Sequence, residues 1–206
     1  MSAAGRLVLI AGAGSASGHA ARAALTQAGA HVIAVGRSEC DLTDEAAVHR
    51  LAHRVHAERG RVDGVLHLVG GWRGGGGLAG QTDADFRFLE RSLTALRHVS
   101  RAFDEDLRAS EAGRLAVVSS TAVTRPLAGG ASYAAVKAAT EAWARAVAQG
   151  FAKDARDAGR ELAAASVIFR VASLAGREDE LAQHFVGLWD VPATQINDTI
   201  IEMGSQ

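Results

Sequence analysis

The sequence predicts an α/β protein in which a single Rossmann-type domain contains a doubly wound parallel sheet. Apolar runs such as residues 6–11 are continuous rather than alternating, which is typical of strands covered on both faces. Segments with helical spacing of apolar residues separate these runs, and strands that alternate with helices pair in parallel with right-handed crossovers. A glycine-rich turn directly follows the first run. We therefore expect residues 1–206 to form one domain around that sheet.

The first half of the chain is predicted to contain three strands and two helices. Gly29 is expected to stop the first helix, and the Thr43 hydroxyl is expected to cap the second. The predicted strands are residues 6–11, 31–35 and 64–69, and the predicted helices are residues 19–28 and 44–59.

The second half continues the alternation after a glycine-dense loop at residues 70–80. Its first helical stretch has apolar residues at helical spacing, among them Phe86, Leu89 and Leu93. The predicted helices are residues 83–108, 132–158 and 179–189, and the predicted strands are residues 115–118, 163–169 and 199–201.

The composition excludes several classes of partner and site. The formal net charge is −1, so no basic surface is expected for nucleic acid or an anionic membrane. Cys40 is the only cysteine, which leaves no disulfide framework and fits a reducing, cytoplasmic compartment. No apolar stretch approaches the roughly 20 residues that a membrane-spanning helix needs. The eight histidines show no metal-binding spacing, so a small molecule is the expected partner.

The turn after the first strand predicts a nucleotide site. Gly12, Gly14 and Gly18 let backbone N–H groups approach a pyrophosphate at the start of a helix, and Ser15 and Ser17 lie within the same turn. The setting between a strand and a helix strengthens a motif that is weak alone. The alternative is a tight βα turn without a ligand.

The end of the second strand bears on the choice of cofactor. An acidic residue there binds a ribose 2′-hydroxyl, whereas an arginine receives a 2′-phosphate. Arg37 follows this strand, and its planar guanidinium can bind phosphate oxygens in pairs, which favours NADP(H). Glu39 can still serve a 2′-hydroxyl, so NAD is the open alternative.

A cluster of reactive side chains lies in the middle of the chain. Tyr133 and Lys137 are four residues apart, so on a helix they share one face. A neighbouring ammonium favours the phenolate, which brings the tyrosine pKa towards the range where it exchanges a proton at neutral pH. Ser120 lies thirteen residues before Tyr133, just after the predicted buried strand of residues 115–118, where its hydroxyl can bind a substrate oxygen. Taken alone, the pair is weak evidence, because such pairs occur by chance on many helices, usually as a solvated lysine beside a half-buried tyrosine.

Together these motifs resemble the short-chain dehydrogenase/reductase family over nearly the whole chain. The resemblance rests on AGAGSASG, GR, CDLTDEAAV, VDGVLHLVGG, AVVSS and YAAVKAATEAWA. It implies that Tyr133 donates or takes the substrate proton, that Ser120 holds the substrate oxygen, and that Lys137 lowers the Tyr133 pKa and binds the nicotinamide ribose. It also implies that Asp41 contacts the adenine, with Leu42 beside it.

The resemblance further implies an activity and an assembly. Hydride would move between the nicotinamide, lying over Gly70, and a carbonyl or alcohol carbon. Members of the family form homodimers and homotetramers through helices that correspond to residues 83–108 and 132–158, so the same is expected here.

Several positions depart from the family pattern. Ala16 stands in place of a glycine of the turn, and the residues from His67 to Gly70 replace Asn-Asn-Ala-Gly. Ser92 aligns with the helix asparagine that often completes a catalytic tetrad, and it is the fourth catalytic candidate. His67 and His98 are interpreted as structural.

Two segments are shorter than in the family. Only a few residues separate Arg37 from Asp41, so the usual helix, and with it a strand, is expected to be missing after the second strand. The segment before Gly176 is expected to form a short substrate lid. These losses bear more on substrate binding than on cofactor binding.

The loop with Gly71 and Trp72 resembles that of the dihydropteridine reductases. Trp72 either lies against a planar substrate or plugs the carboxyl edge of the sheet. Reduction of a planar pterin or quinone is therefore one alternative function. A non-catalytic NADP-binding sensor or interaction protein is another, suggested by the short lid and by Ala16 and Ser92.

Overall fold

A computed structural model describes residues 2–204 and confirms the predicted fold class. The strands in this part of the chain are β1 (Leu7–Ala11), β2 (His31–Val35), β3 (Gly64–His67), β4 (Arg114–Ser120), β5 (Ala165–Val171) and β6 (Thr199–Met203). They form one sheet in the order β2-β1-β3-β4-β5-β6, and every pairing is parallel.

Helices cover both faces of the sheet. The helices are α1 (Ala16–Gln27), α2 (Glu45–Arg59), α3 (Asp83–Ala102), α4 (Asp104–Ala109), α5 (Ala131–Asp157), α6 (Glu178–Gly187) and α7 (Ala193–Ile196). Alternate residues of β1 show how the core divides: Val8 and Ile10 share one cluster with Leu25 of α1, whereas Leu7 and Leu9 share another with Val55 of α2.

The shortened region after the second strand is confirmed. Among residues 2–204, β2 pairs with β1 alone and forms an edge of the sheet. The chain then reaches Glu45 of α2 without forming another strand. The segment between Val171 of β5 and Glu178 of α6 is also short, as expected for the lid.

The predicted cap of the second helix is wrong by one residue. Asp44 is the N-cap of α2, and its carboxylate accepts a hydrogen bond from the Ala46 N–H at 2.9 Å. The Thr43 hydroxyl instead donates to Asp41 at 2.6 Å. A carboxylate at this position gains from the helix dipole as well as from the hydrogen bond.

The long helix predicted for residues 83–108 is two helices. The break falls at Phe103, which is fully buried and has a φ of −113°. A new helix begins directly after it with Asp104, Glu105 and Asp106, which favour a helix N-terminus. The helical spacing of apolar residues continues across Phe103, so the sequence pattern does not reveal the break.

Other boundaries differ from the predictions by a few residues. The strand β4 runs to Ser120 rather than Val118, and β5 runs from Ala165 to Val171 rather than over residues 163–169. The structure also starts α1 at Ala16, ends β3 at His67 and ends α6 at Gly187, where a 3₁₀ turn (Leu188–Asp190) follows. No helix formed by residues 2–204 is both long and apolar enough to cross a bilayer.

Candidate active site

Two glycines shape the turn between β1 and α1. Gly12 has a φ of 91°, and a Cβ there would lie 2.9 Å from the Leu68 carbonyl carbon. A Cβ at Gly18 would lie 2.5 Å from the Ala13 carbonyl oxygen. Ser15 caps α1 by accepting from the Gly18 N–H at 3.0 Å. The fold itself therefore accounts for both glycines.

Gly14 differs because no packing contact requires it. No heavy atom lies within 4 Å of the position that its Cβ would take. The missing side chain leaves the backbone at the start of α1 accessible, where helix N–H groups favour an anion. Ser17 is buried, and it does not line the cleft described below.

Arg37 and Glu39 follow β2 and are constrained differently. The Arg37 side chain is exposed. Glu39 folds back, accepting from the Gly36 N–H at 2.7 Å and from the Ser38 hydroxyl at 2.5 Å. The Ser38 hydroxyl and the Gly36 N–H hold the pKa of Glu39 below its usual value, so the carboxylate stays ionised at neutral pH.

Asp41 and Leu42 follow in the same segment after β2, which forms one wall of the cleft described below. The Thr43 hydroxyl and N–H donate to Asp41 and lower its pKa. Arg91 of α3 lies 3.9 Å from the same carboxylate oxygen. Leu42 is buried, and its carbonyl accepts from His98 Nδ1 at 3.2 Å. His98 thus ties α3 to the wall, which agrees with the structural role predicted for it.

These residues line one cleft of about 1030 Å³ at the carboxyl edge of the sheet. The volume is slightly above the roughly 300–1,000 Å³ that is usual for ligand pockets. His19 and Arg22 of α1 line one part of it, and Phe88 and Ser92 of α3 line another. The predicted cofactor residues that line the cleft are Gly12, Gly14, Ser15, Arg37, Asp41, Leu42 and Gly70.

Ser120, Tyr133 and Lys137 lie together next to the Gly70 part of the cleft. Ser120 ends β4, and the other two occupy the first turns of α5. The Lys137 Nζ lies 5.8 Å from the centroid of the Tyr133 ring, and the nearby Ser120 hydroxyl acts to lower the Tyr133 pKa. A Cβ at Gly70 would lie 3.8 Å from Lys137 Nζ. The structure therefore brings the predicted trio together beside the cleft.

Burial dominates the electrostatics of the trio. It raises the pKa of Tyr133, and the Ser120 hydroxyl opposes only part of that change. Burial also lowers the pKa of Lys137 to about 8. The Lys137 ammonium donates to the Val118 carbonyl at 2.8 Å. The net pKa of Tyr133 is therefore raised, whereas a lowered pKa was expected beside Lys137, and the phenol is protonated at neutral pH.

His67 and Ser92 form the floor beside Lys137. His67 is buried, and its Nε2 donates to the Ser92 carbonyl at 3.1 Å. Burial and the charge of Lys137 lower the pKa of His67 to about 3, so the imidazole stays neutral, in line with a structural role. The Ser92 hydroxyl donates to the Leu89 carbonyl at 2.7 Å within α3. Ser92 therefore contacts His67 through its carbonyl, while its hydroxyl proton is used within α3.

The glycine-dense loop packs against the segment before α5. Gly75 N–H donates to the Gly129 carbonyl at 2.7 Å, and the Arg73 guanidinium carbon lies 3.9 Å from the centroid of Phe88. Trp72 is 60% exposed, so it does not plug the edge of the sheet. That alternative is therefore excluded, and Trp72 belongs to the surface of the loop.

Sequence reasoning missed a buried ionic network under the trio. Arg170 of β5 donates to Glu141 at 3.0 and 2.8 Å and to Glu202 at 2.8 Å. The Ser119 hydroxyl donates to Glu141 at 2.6 Å. Glu141 follows Lys137 by one helical turn, so the network fixes α5 against β4 and β5. The available signal was an acidic residue on the apolar face of a predicted helix.

Comparison with protein families gives one match. A model of the enoyl-(acyl carrier protein) reductase family matches residues 1–156. No curated protein sequence matches significantly.

Several solved structures are similar over almost the whole chain. An oxidoreductase of the short chain dehydrogenase/reductase type from Brucella ovis has 20% identity and a TM-score of 0.79, covering 97% of this chain and 100% of its own. A short chain dehydrogenase from Shigella flexneri, complexed with NADP, has 18% identity and a TM-score of 0.82, covering 97% of both chains. A gluconate 5-dehydrogenase from Burkholderia cenocepacia, complexed with NADP and tartrate, has 17% identity and a TM-score of 0.79, covering 97% and 94%. At these identities the likeness shows the fold.

Proposed function

Because the chain belongs to the short-chain dehydrogenase/reductase family, whose members are NAD(P)-dependent oxidoreductases, we propose that it uses NADP(H) to move hydride to or from the carbonyl or alcohol carbon of a small organic substrate. The observation that carries this proposal is the placement of Ser120, Tyr133 and Lys137 beside the cleft. A sensor needs only the cleft, whereas an oxidoreductase also needs a proton donor.

The residues of the cleft fit a dinucleotide. The open backbone at Gly14 suits a pyrophosphate at the start of α1, and Asp41 and Leu42 suit the adenine. Arg37 is exposed and suits a 2′-phosphate, while Glu39 is held back by Gly36 and Ser38. NADP in two of the similar structures supports the same choice.

The cofactor preference is testable by binding. We expect Arg37→Gln to weaken NADPH binding about tenfold or more through loss of a charged phosphate contact, with NADH binding nearly unchanged. Nucleotide fluorescence titrations of both proteins with both nucleotides measure this. Equal weakening of NADPH and NADH would exclude the role of Arg37 in cofactor choice.

The side chains of the trio have separate roles in the reaction. When bound, the nicotinamide donates or accepts the hydride. The Ser120 hydroxyl donates to the substrate oxygen. Tyr133, protonated at neutral pH, gives its proton to that oxygen during reduction and takes it back during oxidation. The cationic Lys137 stabilises the phenolate that remains.

Removal of the phenol hydroxyl tests the proton donor. We expect Tyr133→Phe to lower kcat roughly 10²–10⁴-fold while leaving NADPH affinity unchanged, because the ring and its packing stay. Steady-state assays with NADPH and ketones, aldehydes, quinones and quinonoid dihydropterin identify the substrate first. Full turnover by Tyr133→Phe would show that another group supplies the proton.

Reduction of a planar pterin or quinone is the second candidate. The exposure of Trp72 favours it, because an indole on the surface of the loop is available for stacking on a planar substrate. If that substrate is used, Trp72→Ala should raise its KM about tenfold with little change for small ketones. An unchanged KM would remove the basis for stacking.

A further inference from the structure

Gln81 joins three segments around the site, and no role assigned above involves it. The two N–H groups of its Nε2 are shared among the carbonyls of Gly129, Gly75 and Gly77, which lie at 3.0, 3.2 and 3.3 Å. Its Oε1 accepts from the Ser132 N–H at 3.2 Å. One amide side chain therefore connects the glycine-dense loop, the segment before α5 and the first turn of α5.

The bond to Ser132 gives α5 a cap that its own sequence lacks. The N-cap residue is Gly130, which has no side chain to accept from the first N–H groups. Such groups have no acceptor within their own helix, so they need a partner from elsewhere. Gln81 supplies one from a distant part of the sequence. Because Ser132 precedes Tyr133, this cap acts on the turn that carries the phenol.

The NH2 group of Gln81 holds a glycine loop whose ordering costs much backbone entropy. Residues 75–77 are three consecutive glycines with positive φ, and glycine loses more backbone freedom on ordering than any other residue. Trp72 belongs to the same loop. Apart from the direct bond between Gly75 and Gly129, the polar contacts that close the loop onto the segment before α5 come from Gln81.

We propose that Gln81 is a positioning residue that locks residues 70–80 onto the first turn of α5. The loop that carries Trp72 and the proton donor Tyr133 then keep a fixed relation to each other. The consequence for turnover rests on the proposed function, whereas the lock itself does not. Gln81 does not line the nucleotide cleft, and of residues 70–80 only Gly70 does, so the lock acts mainly on the substrate side.

Two substitutions separate the two sides of the amide. Gln81→Met keeps the length of the side chain and removes every hydrogen bond. Gln81→Glu keeps an acceptor for the Ser132 N–H but turns a carboxylate towards the carbonyls of the loop. Gln27→Met is the matched control, because Gln27 is exposed at the far end of α1.

Hydrogen exchange measured by mass spectrometry is the first readout. We expect Gln81→Met to speed exchange roughly tenfold in peptides covering residues 74–80 and in the first turn of α5. Gln81→Glu should speed exchange in the loop only, and Gln27→Met in neither. Protection of β4 should be the same in all four proteins. Wild-type exchange rates in both segments of Gln81→Met would overturn the proposal.

Kinetics are the second readout. Gln81→Met should raise the KM for the substrate about tenfold and lower kcat less, with the NADPH dissociation constant within about twofold of the wild type. Unchanged KM and kcat in a variant with faster exchange would overturn the positioning role. A wild type without turnover on any substrate would instead overturn the proposed function, because the exchange result decides the lock without a substrate.

A second variant covers the case in which Gln81→Met does not fold. A Cβ at Gly74 would collide with the Gly129 carbonyl oxygen, which is an acceptor of the lock. We expect Gly74→Ala to speed exchange in the loop while the first turn of α5 stays protected. Unchanged loop exchange in Gly74→Ala would show that the lock does not hold the loop.

Discussion

Two buried cations lie near opposite ends of β4, and their partners differ. Arg114 begins β4 and is fully buried, and its three nitrogens donate to the carbonyls of Leu188, Gly113, Ala163 and Val191 at 2.8–3.0 Å. Lys137, near the other end, has a single acceptor among residues 2–204, the Val118 carbonyl.

The different partners of Arg114 and Lys137 distinguish the amino edge of the sheet, which is structural, from the carboxyl edge, which can bind a ligand. The carbonyls around Arg114 offset the loss of its hydration and join β4 to the segment after α6. Burial lowers the pKa of Arg114 to about 10, so it is still charged at neutral pH. An ammonium has three N–H donors, and the protein binds one of those of Lys137. The amino edge of the sheet is thus satisfied by the protein, and the carboxyl edge keeps donors for a ligand.

The largest effect is expected at the amino edge. Arg114→Met removes the donor to four main-chain carbonyls. The Gly113 carbonyl keeps the Ala165 N–H as a partner, and each carbonyl left buried and unsatisfied costs roughly 1–3 kcal/mol. We expect the free energy of unfolding to fall by at least ~3 kcal/mol, measured by urea denaturation. Arg61→Met is the control, because the exposed pair of Arg61 with Glu105 contributes less than about 1 kcal/mol. Equal losses in the two variants would contradict the structural role.

At the carboxyl edge, replacing the buried cation should stabilise the protein, whereas replacing Arg114 destabilises it. Lys137 has a pKa of about 8 in the folded protein against 10.5 when solvated, so between these values the unfolded chain binds more protons. The free energy of unfolding should therefore rise with pH from 8 to about 10, by up to about 3 kcal/mol. Lys137→Met should remove this rise and be more stable than the wild type at pH 7, although turnover falls. A wild-type stability that is flat across this window would contradict the assignment.

A smaller effect is expected at the buried ion pair between Arg170 and Glu141, which stabilises the carboxyl edge of the sheet. Glu141→Gln keeps the shape of the side chain and removes its charge, but Arg170 keeps Glu202 as a partner. We expect a loss of about 2 kcal/mol in the free energy of unfolding. Glu202→Gln, in which the half-exposed partner of Arg170 is changed instead, should cost less than about 1 kcal/mol. A larger loss in Glu202→Gln than in Glu141→Gln would show that Glu202, and not the buried Glu141, is the main partner of Arg170.

The order and type of the main elements could be predicted because they follow from apolar periodicity. The continuous runs of β1, β3 and β5 and the helical spacing in α2 and α3 need no tertiary information. The break at Phe103 could not be predicted, since the same apolar face continues on both sides of it. The ends of β4 were missed because Arg114 and Ser120 are polar, and only their partners in the folded chain explain their burial.

The candidate site shows the same limit. The trio could be predicted because its members have characteristic types and spacing. The role of Gln81 could not, because its partners include glycine carbonyls that lie as far as Gly129 in the sequence and carry no side-chain signal. The dominance of burial over the Lys137 charge in setting the Tyr133 pKa likewise depends on packing around the phenol. Spacing alone does not report such packing.

The burial of Tyr133 has a practical consequence, since the chain has no other tyrosine. Ultraviolet absorption by tyrosinate therefore reports the ionisation of the proposed proton donor alone, without isotopes, labels or a known substrate. Its titration midpoint should lie above 10 in the wild type and move higher in Ser120→Ala, which loses the hydroxyl that opposes the effect of burial. Each compound added to the protein can then be judged by whether it shifts this one absorbance curve.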